Sequence, residues 1–115
     1  MSNFQAIIES LAGAKRVLIG SHYNPDGDAI GSMLALGSAL ERQGAQLTLF
    51  NRDAVPGNLK FMHGSERIVN NLPADAQFDQ VIMVDCAHFS RVGGDFKRDY
   101  QNATTICIDH HILEE

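Results

Sequence analysis

Basic residues are in short supply in this sequence. Nine Lys and Arg stand against fourteen Asp and Glu, and the formal net charge is -5 with His neutral. Proteins that hold long nucleic acids neutralise many phosphates with Lys and Arg, so a negative overall field is ill suited to that task. Nor is there a basic, aromatic-rich tract on which a single strand could stack. Short anionic substrates stay open, because bound cations can reverse the potential inside a pocket. Cysteine is scarce as well. Cys86 and Cys107 have neither a zinc spacing nor a disulfide framework. Both sit in apolar runs, VIMVDC and TTICID, which predicts small buried hydrophobes rather than redox or metal groups. No apolar run approaches a membrane span. The N-terminal MSNFQAIIESL lacks the basic and long apolar regions of a signal peptide. These absences lead to the expectation of a cytoplasmic, reduced protein. The sequence also has no internal repeat, low-complexity tract or linker. What remains is 44% hydrophobic and 20% charged over 115 residues, a globular balance and enough chain for one domain.

Helical and strand signals alternate along that domain. Phe4, Ile7, Ile8 and Leu11 recur at helical spacing, with Gly13 as a stop. Val17, Leu18 and Ile19 form a short apolar run that reads as a buried strand. The stretch from Gly27 to Gln43 has a helical period, and Gly44 closes it. Leu47, Leu49 and Phe50 suggest a second strand, Pro56-Gly57 a turn, and residues 58–64 a short helix. Ile68 and Val69 form a minor strand, Val81 to Val84 a main strand, and Thr104 to Ile108 another. A helix is expected between Arg91 and Asn102. The implied fold class is α/β: a three-layer α/β/α domain with a mainly parallel sheet.

Three main strands end directly in polar clusters. In open α/β sheets ligands bind beyond the carboxyl ends of the strands, so this edge is the candidate site. The first cluster, SHYNPDGDAIGS (residues 21–32), offers His22, Asp26 and Asp28 within one strand-to-helix turn shaped by Pro25 and Gly27. Asp28 would stand near the helix start, where a carboxylate is favoured and can cap backbone N–H groups. Caps and turns alone account for PDGD, yet they have no use for His22. The second cluster follows VIMV. Asp85 emerges there at the sheet edge, where a carboxylate needs a strong partner. His88 and Arg91 come next on the loop and are candidates for substrate contact. His88 suits a supporting role better than metal ligation. Arg91 could grip a phosphate bidentately or pair with a carboxylate. The third cluster is TICIDHHI (residues 105–112), with Asp109, His110 and His111. Neighbouring residues on a strand point to opposite faces, so the three cannot all be ligands unless the backbone turns. One His would then ligate metal and the other face substrate, with Asp109 orienting an imidazole. Which His does which stays open at this level.

Mixed His and Asp ligands without thiolates suit Mn²⁺, Mg²⁺ or Co²⁺ better than structural Zn²⁺. Crowded carboxylates repel one another unless cations lie between them. Asp85 is the candidate bridge of a pair of ions. Paired ions about 4 Å apart can activate water and clamp the oxygens of an in-line displacement, which is the physical case for phosphoester hydrolysis.

Taken together, SHYNPDGDAIGS, the strand-ending Asp85 with Arg91 and Gly93 behind it, and IDHH resemble the first three motifs of the DHH phosphoesterase superfamily. The closest likeness is to its DHH/DHHA1 branch, which includes the NrnA-like nanoRNase/pAp phosphatases. That resemblance implies His22 and Asp26 on one metal, Asp28 and His110 on a second, and Asp85 bridging the two Mn²⁺ ions. His111 would contact the scissile phosphate or help protonate the leaving group, and Asp109 would support the signature. Members of the family carry a further metal-binding Asp downstream and then a DHHA1 domain. The resemblance therefore implies that residues 1–115 are the N-terminal part of a DHH domain, weakly active without those later segments.

The expected activity is hydrolysis of short RNA or DNA oligonucleotides, of 3'-phosphoadenosine 5'-phosphate (pAp), or of both. Cyclic-dinucleotide phosphodiesterase is the runner-up of the same class. A metal- or nucleotide-binding module without turnover is the alternative of another class. A purely structural domain would leave the His/Asp clusters without explanation. No membrane partner is expected, and a homodimer of the full-length protein stays open.

Overall fold

The computed structural model describes residues 3–72, 76–86, 92 and 103–109. Five strands form one sheet: β1 (Arg16–Gly20), β2 (Gln46–Phe50), β3 (Ile68–Val69), β4 (Gln80–Val84) and β5 (Thr104–Ile108). Their order across the sheet is β3-β2-β1-β4-β5, and every neighbouring pair is parallel. The chain thus lays strands outward on one side of β1, then returns to its other side with β4. The gap between β1 and β4 is the topological switch point, where open α/β sheets bind ligands.

The strand pleat divides the apolar residues between two cores. Val17, Ile19, Ile82, Val84 and Ile106 face one side. Helices α1 (Asn3–Ala12) and α2 (Gly27–Arg42) cover it with Leu11, Ile30, Met33 and Leu40. Leu18, Phe50, Val81 and Met83 face the other side and pack with Cys86, Val92, Leu72 and Phe78. Both faces of β1 and β4 are therefore buried, which explains why these strands read as unbroken apolar runs. α1 buries less of its apolar stripe than its periodicity suggests. Leu11 is in the core and Ile7 packs against it, whereas Phe4 and Ile8 are exposed.

α2 is fixed at both ends. Asp26 is its N-cap, with Oδ1 accepting the Ala29 N–H at 2.9 Å. At the far end Gly44 takes φ +96. Its N–H reaches the Glu41 carbonyl and the Ala45 N–H the Leu40 carbonyl, at 3.0 and 3.2 Å. That pattern is a Schellman stop, and it uses the one conformation glycine enters freely. A Cβ on Gly37 would lie 2.8 Å from Leu47 Cδ2, so this glycine lets α2 approach β2 closely.

Two expectations change. Instead of one short helix over 58–64 there are two 3₁₀ turns, Gly57–Leu59 and Ser65–Arg67, separated by Gly64 at φ +91. Left-handed backbone at Gly64 interrupts any continuous helix. Cys86 is buried as expected, but Cys107 is exposed, on β5, which is the last strand of the sheet among the described residues. The Cys107 thiol donates to the Cys86 carbonyl at 2.9 Å. Partial burial, then the Asp109 carboxylate, pushes its pKa up. The helix expected at 91–102 falls outside the described residues except for Val92, which is fully buried. Among the described residues no helix is long and apolar enough to cross a membrane.

Ile82 lies on a strand paired on both sides, between two packed faces, with 0% exposure. Ile82→Ala should lower the unfolding free energy by about 2–5 kcal/mol, read from urea denaturation followed by circular dichroism. A loss below about 1 kcal/mol would contradict its central position.

Candidate metal centre

Strand register assembles the site. The last β1–β4 pair is Gly20 with Met83, so two residues further on His22 comes opposite Asp85. Backbone pairing stops there, and the buried Ser21 side chain extends the contact by donating to the Val84 carbonyl at 2.7 Å. On the other flank Val84 pairs with Ile108. The Asp85 N–H then donates to the Ile108 carbonyl at 2.8 Å, which sets Asp109 beside Asp85.

Among the described residues two that are not glycine take positive φ, Asn24 and Asp85, both at 55°. Asn and Asp tolerate this region better than other side chains, at a cost of about 1–3 kcal/mol each. Each sits where the backbone leaves regular structure to present the site. At Asp85 the turn ends the strand abruptly and leaves the side chain buried, 3% exposed, against His22.

His22 Nε2 lies 3.4 Å from Asp85 Oδ2 and 3.9 Å from Asp26 Oδ1. Its other nitrogen, Nδ1, is 2.8 Å from the Tyr23 carbonyl oxygen. A carbonyl only accepts, so Nδ1 carries a hydrogen, and in the neutral imidazole Nε2 then turns a lone pair toward two carboxylate oxygens. Three electron-rich atoms in that arrangement repel unless a proton or a cation lies among them. The ligand atoms of His22, Asp26 and Asp85 all fall within 4.8 Å of one another. An octahedral ion with bonds of about 2.1 Å sets adjacent ligand atoms roughly 3.0 Å apart and opposite ones roughly 4.2 Å apart, and the measured 3.4 and 3.9 Å fall between those two values. One imidazole nitrogen with carboxylate oxygens suits a divalent cation of hard or intermediate character. The residues fit such an ion.

The cluster is closed at one end and open at the other. Asp85 and His22 are buried, while the Asp26 side chain is 65% exposed. Asp26 serves two structures through one oxygen, since Oδ1 both caps α2 and faces His22.

Of the residues expected from sequence, His22, Asp26 and Asp85 come together. Asp28 lies exposed in the first turn of α2 and is not one of the three. The capping role expected for Asp28 belongs to Asp26, because the helix begins one residue after it. Asp109 is half-buried at the end of β5. His88, Arg91, His110 and His111 lie outside the described residues.

Sequence reasoning missed a set of residues beyond β2. Asn51 is fully buried, and its Nδ2 donates to the His22 carbonyl at 3.0 Å. Its Oδ1 accepts the Asp53 N–H at 3.0 Å, and Asp53 Oδ2 accepts the Asn24 N–H at 2.6 Å. The signal was available: Asn51-Arg52-Asp53 is a fourth polar run directly after an apolar strand, at the same sheet edge.

An open parallel sheet with an imidazole–carboxylate cluster at its switch point defines an α/β domain equipped to hold a divalent cation. The chain belongs to the DHH family, whose N-terminal domain model matches residues 16–115. Within that match His22, Asp26 and Asp85 form the candidate metal site. The fold is also that of a crystal structure of an exopolyphosphatase-related protein from Bacteroides fragilis. The two agree with a TM-score of 0.80 at 30% sequence identity, over 96% of this chain and 35% of that one. This chain thus spans about a third of that protein's length. No curated protein matches the sequence significantly.

Asp26 allows cap and ligand roles to be separated. Asp26→Ser keeps a good N-cap, so stability should stay within about 0.5 kcal/mol, whereas Asp26→Ala should cost about 0.5–2 kcal/mol. Both should weaken Mn²⁺ binding, by about tenfold or more, through loss of the carboxylate. Thermal melts and calorimetric titration measure the two effects. Undiminished Mn²⁺ affinity in Asp26→Ser would remove Asp26 from the site.

Proposed function

We propose that this domain belongs to an Mn²⁺-dependent hydrolase of short oligonucleotides, of pAp, or of both. The observation that carries the reading is the convergence of His22 Nε2 on the Asp26 and Asp85 carboxylates at the switch point. The donor set supports a divalent cation, and the family is one of phosphoesterases. A net charge of -5 favours small substrates over long strands. The finer substrate rests on the likeness of SHYNPDGDAIGS to the nanoRNase/pAp phosphatase branch.

In this reading His22, Asp26, Asp28, Asp85 and His110 would together hold two Mn²⁺ ions, with Asp85 serving both. The bound ions would supply an activated water and offset the charge that develops on phosphate oxygens. Asp85, buried and fixed by its N–H bond to Ile108, holds its carboxylate at one place between strands β1 and β4. Asp26, at the open end, borders the side from which a substrate reaches the cluster. His111 contacts the scissile phosphate or gives the leaving oxygen its proton, with Asp109 as support. Arg91 and His88, which follow β4 in the sequence, would contact the substrate. The chain corresponds to part of a DHH domain, and a later acidic ligand and a DHHA1 domain complete the enzyme in a longer protein. Mg²⁺ or Co²⁺ could substitute for Mn²⁺. A cytoplasmic location and a homodimer of the longer protein accompany the proposal.

The test is hydrolysis of pAp and a short RNA with Mn²⁺, with a cyclic dinucleotide and inorganic polyphosphate as competing substrates. The 115-residue chain should turn over weakly, and the protein extended by its downstream segment should be faster. In the extended protein Asp85→Ala should reduce the rate by about a hundredfold or more, because it removes the group shared by both ions. Activity indifferent to both EDTA and Asp85→Ala would refute the proposal. Mn²⁺ binding with no turnover of any substrate would favour a binding module instead.

A further inference from the structure

The residues beyond β2 do more than close a loop. No peptide bond among the described residues is cis. In a trans peptide the C=O and the N–H point in opposite directions. The Tyr23 carbonyl and the Asn24 N–H belong to the same peptide unit. Asp53 Oδ2 accepts that N–H at 2.6 Å, and the carbonyl on the other side receives His22 Nδ1–H at 2.8 Å. The preceding unit is held too, since Asn51 Nδ2 donates to the His22 carbonyl at 3.0 Å. Two consecutive peptide planes of the β1–α2 loop are therefore gripped from the end of β2.

We infer that Asp53 is a positioning residue for His22, acting through the Tyr23–Asn24 peptide to set which imidazole nitrogen faces Asp26 and Asp85. The consequence for metal affinity rests on the metal-centre reading above. The path runs from the Asp53 carboxylate to the Asn24 N–H, across the peptide to the Tyr23 carbonyl, and on to Nδ1–H of His22. A carboxylate on the N–H polarises the peptide and makes its carbonyl a better acceptor. That holds the hydrogen on Nδ1 and leaves Nε2 as the electron-pair donor. Asn24 at φ +55 is the backbone's concession to this arrangement, since it turns the N–H toward Asp53. The device is itself braced. Asn51 Oδ1 accepts the Asp53 N–H at 3.0 Å, and Asn70 Nδ2 donates to the Asn51 and Asp53 carbonyls at 2.9 and 3.0 Å. A fully buried Asn51 whose side-chain amide serves only loop backbone is costly to keep unless the loop's geometry matters.

The experiment compares Asp53→Ala with Asp53→Asn by two readouts. One is the His22 tautomer, from long-range proton–nitrogen NMR at about pH 8.5, well above the ordinary imidazole range. The other is Mn²⁺ affinity by titration calorimetry. Both variants remove the same charge, but only Asn keeps an acceptor oxygen, at about half the strength. Asp53→Ala should lose the dominant Nδ1–H form and bind Mn²⁺ about 10–100-fold more weakly, with Asp53→Asn between it and the wild type. Should Asp53→Ala not fold, Asp53→Ser, too short to reach the Asn24 N–H, replaces it. Equal losses in the two variants, or an unchanged tautomer with only a lower melting temperature, would overturn the inference. A tautomer change in a protein that never binds Mn²⁺ would uphold the positioning role and refute the metal centre.

Discussion

The pairing of β1 with β4 is the constraint on which the rest depends. It is parallel and joins two strands that the chain lays down far apart, yet it alone brings His22 opposite Asp85. A slip of one residue would turn one partner to the opposite face of the sheet. The register is held at both ends by side chains as well as by the ladder. At the start Asp79 Oδ2 accepts the N–H groups of Lys15 and Arg16 at 2.9 and 3.1 Å. At the finish Ser21 donates to Val84. Between them the apolar strands are buried on both faces, so hydrophobic burial supplies the driving force and the polar contacts choose the alignment.

The candidate site then works against the stability of its own surroundings. It places two carboxylates around an imidazole lone pair and holds Asn24 and Asp85 in uncommon backbone conformations. The backbone conformations cost free energy, and the crowded donor atoms repel unless a proton or a cation lies among them. The costs sit on the loops after β1 and β4, while the core beneath is close-packed and apolar. Rigid strands carrying strained termini are a sound basis for a site that must keep its ligands apart until an ion arrives.

Much of this was legible in the sequence. Unbroken apolar runs marked β1 and β4, the 27–43 period marked α2, and Gly44 marked its end. Polar residues directly after strands marked the site edge. The rest depended on tertiary context. PDGD offers two carboxylates two residues apart, and only the helix start shows that Asp26 rather than Asp28 is the cap. Residues 58–64 have helical composition, but only the 3₁₀ turn Gly57–Leu59 forms there, and the left-handed Gly64 sets off the next one, Ser65–Arg67. Cys107 sits in an apolar run on the last strand of the sheet among the described residues, and a strand's place in the sheet does not show in a local pattern. Asn51 and Asp53 resemble ordinary loop residues until the neighbouring strand's loop is known to lie against them.

The order in which strands are laid has a consequence for synthesis. Ser21 and Val84 touch across a separation of 63 residues, with β2 and β3 built in between. A nascent chain can therefore display His22 and Asp26 long before Asp85 exists to face them. Contacts between distant residues must wait for the intervening chain to be made and closed. The ligand set cannot assemble on a ribosome-bound fragment that ends before β4, so ion capture is deferred until the sheet that will hold the ion is in place.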